Sequence, residues 1–230
     1  MNRALCIIPA RGGSKRLPRK NIRDFRGRPM IAWSIAAAEA SAVFDTIMVS
    51  TDDDEIATVA REAGADVPFM RSSETADDYA TTADVLLEVL RSYAAIGENF
   101  DIACCLYPTA PLVEAHHLSG GRRLLEESAF DVVMPVVAFS YPIWRSLRRE
   151  SDGLIALNFP ENLNKRSQDL PPAYHDAGQW YWFHVPQFLH VKALMASNTG
   201  SVVLSPDRVQ DIDTQEDWAM AELKHQRLFG

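Results

Sequence analysis

The sequence predicts an α/β fold, a mostly parallel central sheet flanked by helices, in a single domain over residues 1–230 with a small inserted arm at about 140–175. Three observations predict it. Short apolar runs rich in β-branched residues recur along the chain, amphipathic stretches separate most of them, and the alternation lapses from about Ser140 before resuming. Continuous apolar strands alternating with helices are the pattern of parallel sheets covered on both faces.

In chain order, "LCIIP" reads as a buried strand that breaks at Pro9 into the glycine-containing basic loop "ARGGSKRLPRKNI". "MIAWSIAAAEAS" follows as a helix and "TIMVS" as a strand. "DEIATVAREAG" is a helix whose opening acids, Asp52 to Glu55, favour the positive end of its dipole. "DVPFM" reads as a strand, "TTADVLLEVLRSYAAIG" as a helix, "DIACCLYP" as a strand, "HHLSGGRRLLEES" as a helix and "DVVMPVV" as a strand. From Ser140 to Phe183 the chain is rich in Pro, Asn, aromatic and charged residues with only short strand-like pieces, and reads as an arm or flap. Regular structure resumes with the helical "VPQFLHVKALMAS", the strand "SVVLS" and a last helix near "DTQEDWAMAELKHQRLF", with Asp213 or Thr214 as its N-cap.

With 230 residues, 47% hydrophobic and 23% charged, the chain has an ordinary globular composition. No apolar run approaches the roughly 20 residues that span a bilayer, and no small-residue cleavage site follows the first apolar segment, so a cytoplasmic protein without a membrane partner is expected. Cys104 and Cys105 fall inside a predicted strand and read as small core residues. His116 and His117, at the start of a predicted helix, read as surface, and no nucleophile-elbow motif is present.

Charge is unevenly placed. Residues 1–30 hold nine Lys or Arg against one acid, Asp24, in a chain whose net charge is -8. An acidic body with one cationic loop argues against nucleic acid, which requires a broad positive face, and for a compact anion such as a triphosphate. The loop follows the first strand, and ligands of open α/β sheets bind beyond the carboxyl ends of the strands. Its glycines match neither the dinucleotide fingerprint nor a Walker-type loop. Even so, Gly12 and Gly13 let backbone N–H groups approach a phosphate, and Arg11, Lys15 and Lys20 offer charge-assisted bonds. A solvated basic loop is the alternative.

In "VQDIDTQED", Asp211 and Asp213 are two residues apart, so on an extended segment both carboxylates face one side, roughly 6 to 7 Å apart at the backbone. Mg²⁺, which takes carboxylate oxygens and completes its shell with water and phosphate, suits that pair. The alternative is that Asp213 only caps the last helix. In "NKRSQDLPPAYHDAGQWYW", Arg166, His175 and Asp176 lie among aromatics, a mixture suited to a carboxylated ligand against an apolar wall.

Taken together and in order, "IPARGGSKRLPRKNI", "STDDDEI", "RSSETADD", "LYPTAPL" and "DIDTQEDW" resemble the CMP-sialic acid synthetase family, cytidylyltransferases that activate nine-carbon and eight-carbon acidic sugars. The resemblance covers nearly the whole chain. It implies a Rossmann-like fold of the nucleotide-diphospho-sugar transferase type, a homodimer formed through the arm, CTP and a nine-carbon acidic sugar as substrates, and Mg²⁺ as cofactor. By position it implies nucleotide contacts from Ala10, Arg11, Gly12, Gly13, Ser14, Lys15, Lys20, Asn21, Arg71, Asp78 and Thr82. It implies sugar contacts from Tyr107, Arg145, Arg166, Gln168, His175, Asp176 and Gln179, with Arg166 on the sugar carboxylate. Asp211 and Asp213 would hold the metal and, with Arg11, Lys15 and Lys20, carry the chemistry. "ACCLYPTAP", "SQDLPPAYHDAG" and "LSPDRVQDIDT" resemble the branch that acts on pseudaminic acid. Tyr107, Val113 and Ala177 depart from the neuraminic-acid branch at positions of its sugar pocket.

Overall fold

The structure, a computed structural model, describes residues 2–14, 16–77 and 79–230. Strand β1 (Ala4–Pro9) runs into the basic loop, and a short hairpin of β2 (Asp24–Phe25) and β3 (Arg28–Pro29) leads to helix α1 (Met30–Ser41). Next come β4 (Thr46–Ser50), α2 (Asp54–Glu62), the single turn α3 (Ser73–Ala76) and α4 (Thr82–Ala95). They are followed by β5 (Ile102–Leu106), α5 (Ala115–Glu127) and β6 (Val132–Ala138). The arm carries the hairpin β7 (Leu147–Arg149) and β8 (Ile155–Leu157) and returns through β9 (Tyr174–Asp176) to β10 (Trp180–His184). The remaining elements are α6 (Val185–Val191), β11 (Thr199–Leu204) and α7 (Gln215–Phe229).

The main sheet has the order β11-β6-β10-β5-β1-β4, with β9 paired to β6. β1, β4, β5, β6 and β11 run one way, while β10 and β9 oppose them. The parallel expectation holds for the body of the sheet and is corrected at its centre. "WYWFH" is no part of a flap: it forms β10, wedged antiparallel between β5 and β6. "DVPFM" is corrected too. Only Asp66 bridges to Met48, because Pro68 has no N–H for a ladder.

Side-chain alternation splits the core into two layers. Ala4, Cys6 and Ile8 of β1 face the α1, α2 and α5 side with Cys104, Trp180 and Trp182, whereas Leu5 and Ile7 face α4 and α6 with Cys105, Tyr181 and Phe183. All three cysteines are free and buried, in keeping with their expected core role. Helix α7 packs Trp218 and Ala221 on Leu17, Phe25 and Met30, which brings the C-terminal segment beside the opening loop. Among the described residues, no helix is long and apolar enough to cross a membrane.

Candidate active site

The parallel strands β1, β4 and β5 end together, and the loops leaving their carboxyl ends build the site. Ala10 N–H donates to the Ser50 carbonyl (2.9 Å), fixing the root of the basic loop on β4. Gly12 N–H donates to Asp52 Oδ1 (3.0 Å), and a Cβ at Gly12 would stand 2.7 Å from Asp53 Oδ2, so this approach requires glycine. Arg19, in the left-handed region at φ 57, pairs with Asp53 (2.5 and 3.1 Å) and with Glu55. That guanidinium, above all other causes, holds the Asp53 carboxyl below its ordinary pKa. The acids opening α2 therefore do two jobs: Asp53 caps the helix through Ile56 N–H, and the cluster ties down the cationic loop.

A cavity of about 530 Å³ lies in front of this loop, lined by Arg11, Ser14, Arg16, Lys20, Asn21, Arg71, Thr82, Tyr107 and Asp213. Asn21 is buried and donates to the Arg11 carbonyl (3.0 Å). Arg71 reaches Ser50 through Nε to Oγ (3.1 Å) and Nη2 to the carbonyl (2.6 Å), and burial pulls its pKa down. Arg11 Nη1 donates to the Asp77 carbonyl (3.1 Å) on the facing wall.

A second cavity, about 600 Å³, adjoins the first, with Tyr107 and Thr109 in both walls. It is lined by His175, Asp176, Ala177, Tyr181, Asp211 and Lys224 among others. Tyr181 Oη donates to Asp176 Oδ2 (2.7 Å), and burial, the largest cause, pushes the Tyr181 pKa up. Tyr107 Oη lies 3.3 Å from Thr82 Oγ1, and burial raises its pKa as well. Both phenols are thus neutral hydrogen-bonding groups near neutral pH.

The aspartates straddle the boundary. Asp213 lines the first cavity, where Arg16 Nη1 reaches its Oδ2 (2.6 Å) and Lys20 Nζ its Oδ1 (3.5 Å) and the Ile212 carbonyl (2.5 Å). Asp211, exposed, lines the second. The capping alternative for Asp213 is corrected: Thr214 is the N-cap of α7, in a reciprocal capping box with Asp217.

Several predicted residues stand elsewhere. Gln179 is buried, its amide donating to the Arg208 carbonyl (2.7 Å), so it holds a loop instead of lining a cavity. Arg166 pairs with Asp169 on the exposed arm (2.8 Å), Gln168 is exposed beside it, and Arg145 is bound to Ser167; none of the three lines either cavity. Val113 is buried in the core. Ala10, Gly12 and Gly13 belong to the loop behind the first cavity. Lys15 and Asp78 lie outside the described residues. Residues not singled out by sequence also converge here. Arg16 was visible in the basic run but hidden among its neighbours, whereas Tyr181 and Lys224 gave no local signal. Glu114, His116 and His117 come together at the start of α5, outside both cavities, with Glu114 paired to Arg208.

A sequence-family model described as Cytidylyltransferase matches residues 5–183. The chain is 38% identical over 219 residues to a pseudaminic acid cytidylyltransferase of Campylobacter jejuni subsp. jejuni, spanning 95% of this chain and 94% of that protein. It is 32% identical to a CMP-N,N'-diacetyllegionaminic acid synthase of Legionella pneumophila, spanning 96% and 95%. In fold it is similar to a CMP:2-keto-3-deoxy-manno-octonic acid synthetase complexed with CTP, with TM-score 0.70 and 20% identity over 98% of this chain and 100% of that one.

Proposed function

Because the chain belongs to the cytidylyltransferase family, we propose that it joins CTP to pseudaminic acid, giving CMP-pseudaminic acid and pyrophosphate. The observation that carries this reading is the pair of abutting cavities sharing Tyr107, one walled by cations and the other by polar and aromatic groups. CTP fits the first. Arg11, Lys20, Arg71 and Arg16 supply positive charge for a triphosphate, and Asn21 and Thr82 offer hydrogen bonds for the nucleoside. The acidic sugar fits the second, against Tyr107, His175, Asp176 and Tyr181.

The anomeric hydroxyl of the sugar attacks the α-phosphorus in line; the new O–P bond forms as the bond to the β-phosphate oxygen breaks, and pyrophosphate leaves with its charge. Two anions must be held with reacting atoms about 3 to 3.5 Å apart, which the cationic loop makes tolerable. Asp211 and Asp213 fit a divalent metal: both are carboxylates on the irregular segment before α7, one lining each cavity, beside cations that can take phosphate oxygens. Mg²⁺ held there supplies charge neutralisation at the phosphates. With a metal held there, Arg16 and Lys20, which pair with Asp213, would be available to phosphate oxygens. The proton lost by the hydroxyl has an acceptor at hand in His175.

The arm carries Arg145, Arg166 and Gln168 away from both cavities and exposes Tyr141, Leu147, Ile155 and Leu163. A homodimer would cover these apolar residues and offer Arg166 to a neighbour's sugar, in the cytoplasm where CTP is made. The test is a panel of pseudaminic, legionaminic, N-acetylneuraminic and deoxyoctulosonic acids with CTP, scored by pyrophosphate release. Pseudaminic acid should give the highest kcat/KM. A higher value for any other sugar overturns the substrate, and no release with any sugar overturns the reading as a whole.

A further inference from the structure

The segment from Pro206 to Asp213 leaves the sheet after Leu204 and, among the described residues, pairs with no strand, yet it presents both aspartates. Val209 and Ile212 anchor it in the core, and the aim of the residues between and beside them depends on what binds the backbone. Asp217 takes its far end, accepting from Asp213 N–H (3.1 Å) and Thr214 N–H (2.8 Å). Gln179 holds the Arg208 carbonyl. The near end is held by Lys224 of α7, whose Nζ donates to the Val209 carbonyl (2.6 Å) and the Pro206 carbonyl (3.0 Å). Lys224 also lines the second cavity beside Gln210 and Asp211, and among the described residues it is the one Lys or Arg that does so.

We propose that Lys224 is a positioning residue: it fixes the segment that carries Asp211 and Asp213, and so sets their aim at the substrates. A surface lysine spends its charge on water, whereas this one is drawn inward over α7 to two carbonyls, one of them two residues before Asp211. Desolvation lowers its pKa, with Asp207 opposing, as a lysine recruited from solvent should show. Both N–H bonds run to backbone oxygens, so the lysine acts through geometry on a segment with no ladder of its own. Asp217 and Lys224 bind opposite ends of the segment from one helix, which makes α7 the frame on which the pair of carboxylates is mounted.

The inference rests on Asp211 and Asp213 holding a divalent ion. It is tested on the intact protein with Lys224→Met and Lys224→Arg, by Mn²⁺ binding followed through electron paramagnetic resonance with CTP present, alongside steady-state kinetics. Lys224→Met should weaken Mn²⁺ binding about 10-fold or more and lower kcat while KM for CTP stays within about twofold; Lys224→Arg, which still donates to carbonyls, should recover most of the loss. Phe229→Ala, at the exposed end of α7, serves as a destabilised control, and Lys224→Gln replaces the Met variant if that fails to fold. Mn²⁺ binding and kcat of the Met or Gln variant equal to those of the parent, or no worse than those of the control at matched thermal stability, overturn the proposal. Failure of the metal reading is separable, because Asp213→Asn would then bind Mn²⁺ like the parent.

Discussion

Asp213 shows how neighbours can keep one side chain out of a helix cap. A carboxylate directly before a helix would normally be drawn into the cap, but Thr214 and Asp217 satisfy the α7 terminus between them. Asp213 is left to face the cavity, balanced by Arg16 and Lys20. Arg16 is largely exposed, with 70% of its side-chain surface accessible, so the pair contributes little to stability. Asp213→Asn should therefore lower kcat by about 10²-fold or more while the thermal midpoint changes little. Turnover against added Mg²⁺ checks it; a variant with parental kcat and an unchanged Mg²⁺ titration removes Asp213 from the site. Asp52 and Asp53 are engaged differently, by Gly12 N–H, Arg19 and the α2 terminus.

At the scale of elements, α5 and β10 set the geometry behind the second cavity. A Cβ on Gly121 would sit 2.6 Å from the Trp180 ring and 2.8 Å from that of Trp182, so the helix reaches the strand only because residue 121 has no side chain. Gly121→Val should cost about 1–3 kcal/mol through overpacking, read as a lower urea midpoint with an unchanged slope. An unshifted midpoint would mean the helix can retreat freely. β10 is also where sequence signals fell short. "WYWFH" follows a Pro-rich, charged insertion and is apolar on both faces, so alternation could not mark it as a strand. Its antiparallel place between β5 and β6 is a tertiary choice that no local pattern encodes. The helices α2, α4 and α5 were legible because their apolar residues recur at helical spacing, and α1 because of its alanine-rich run of helix formers. In the site, the basic loop and the aspartate pair announced themselves by composition. Lys224 did not, and Gln179, which the resemblance implies as a sugar contact, binds the Arg208 carbonyl instead; each serves a backbone carbonyl far away in sequence, and a carbonyl carries no residue identity.

Across the whole molecule, the aspartate segment depends on a helix that is itself pinned by an uncharged histidine. His225 of α7 is buried against Trp33 at 4.3 Å, Phe229 at 4.8 Å and Phe25 at 5.5 Å between ring centroids, and neither ring nitrogen has a hydrogen-bond partner among the described residues. Burial is the main cause that lowers its pKa, and Arg26 adds to it. His117 of α5 is likewise lowered, to about 4, by burial first and His116 second. In the unfolded chain both titrate near 6.5. The unfolded state therefore binds protons that the folded state refuses, and stability falls as pH drops below about 6.5 toward 4. Asp53, lowered from 3.8 by Arg19, adds its own loss only below that carboxylate range, so the two windows are separate. Thermal midpoints should thus be level above about pH 6.5 and decline between 6.5 and 4, and activity should fall over the same range as α7 loosens its hold on Asp213. His225→Phe keeps the aromatic packing and removes the titrating ring, so its acid decline should be shallower than that of the parent. An identical decline in the two proteins would show that His225 has no part in the acid sensitivity.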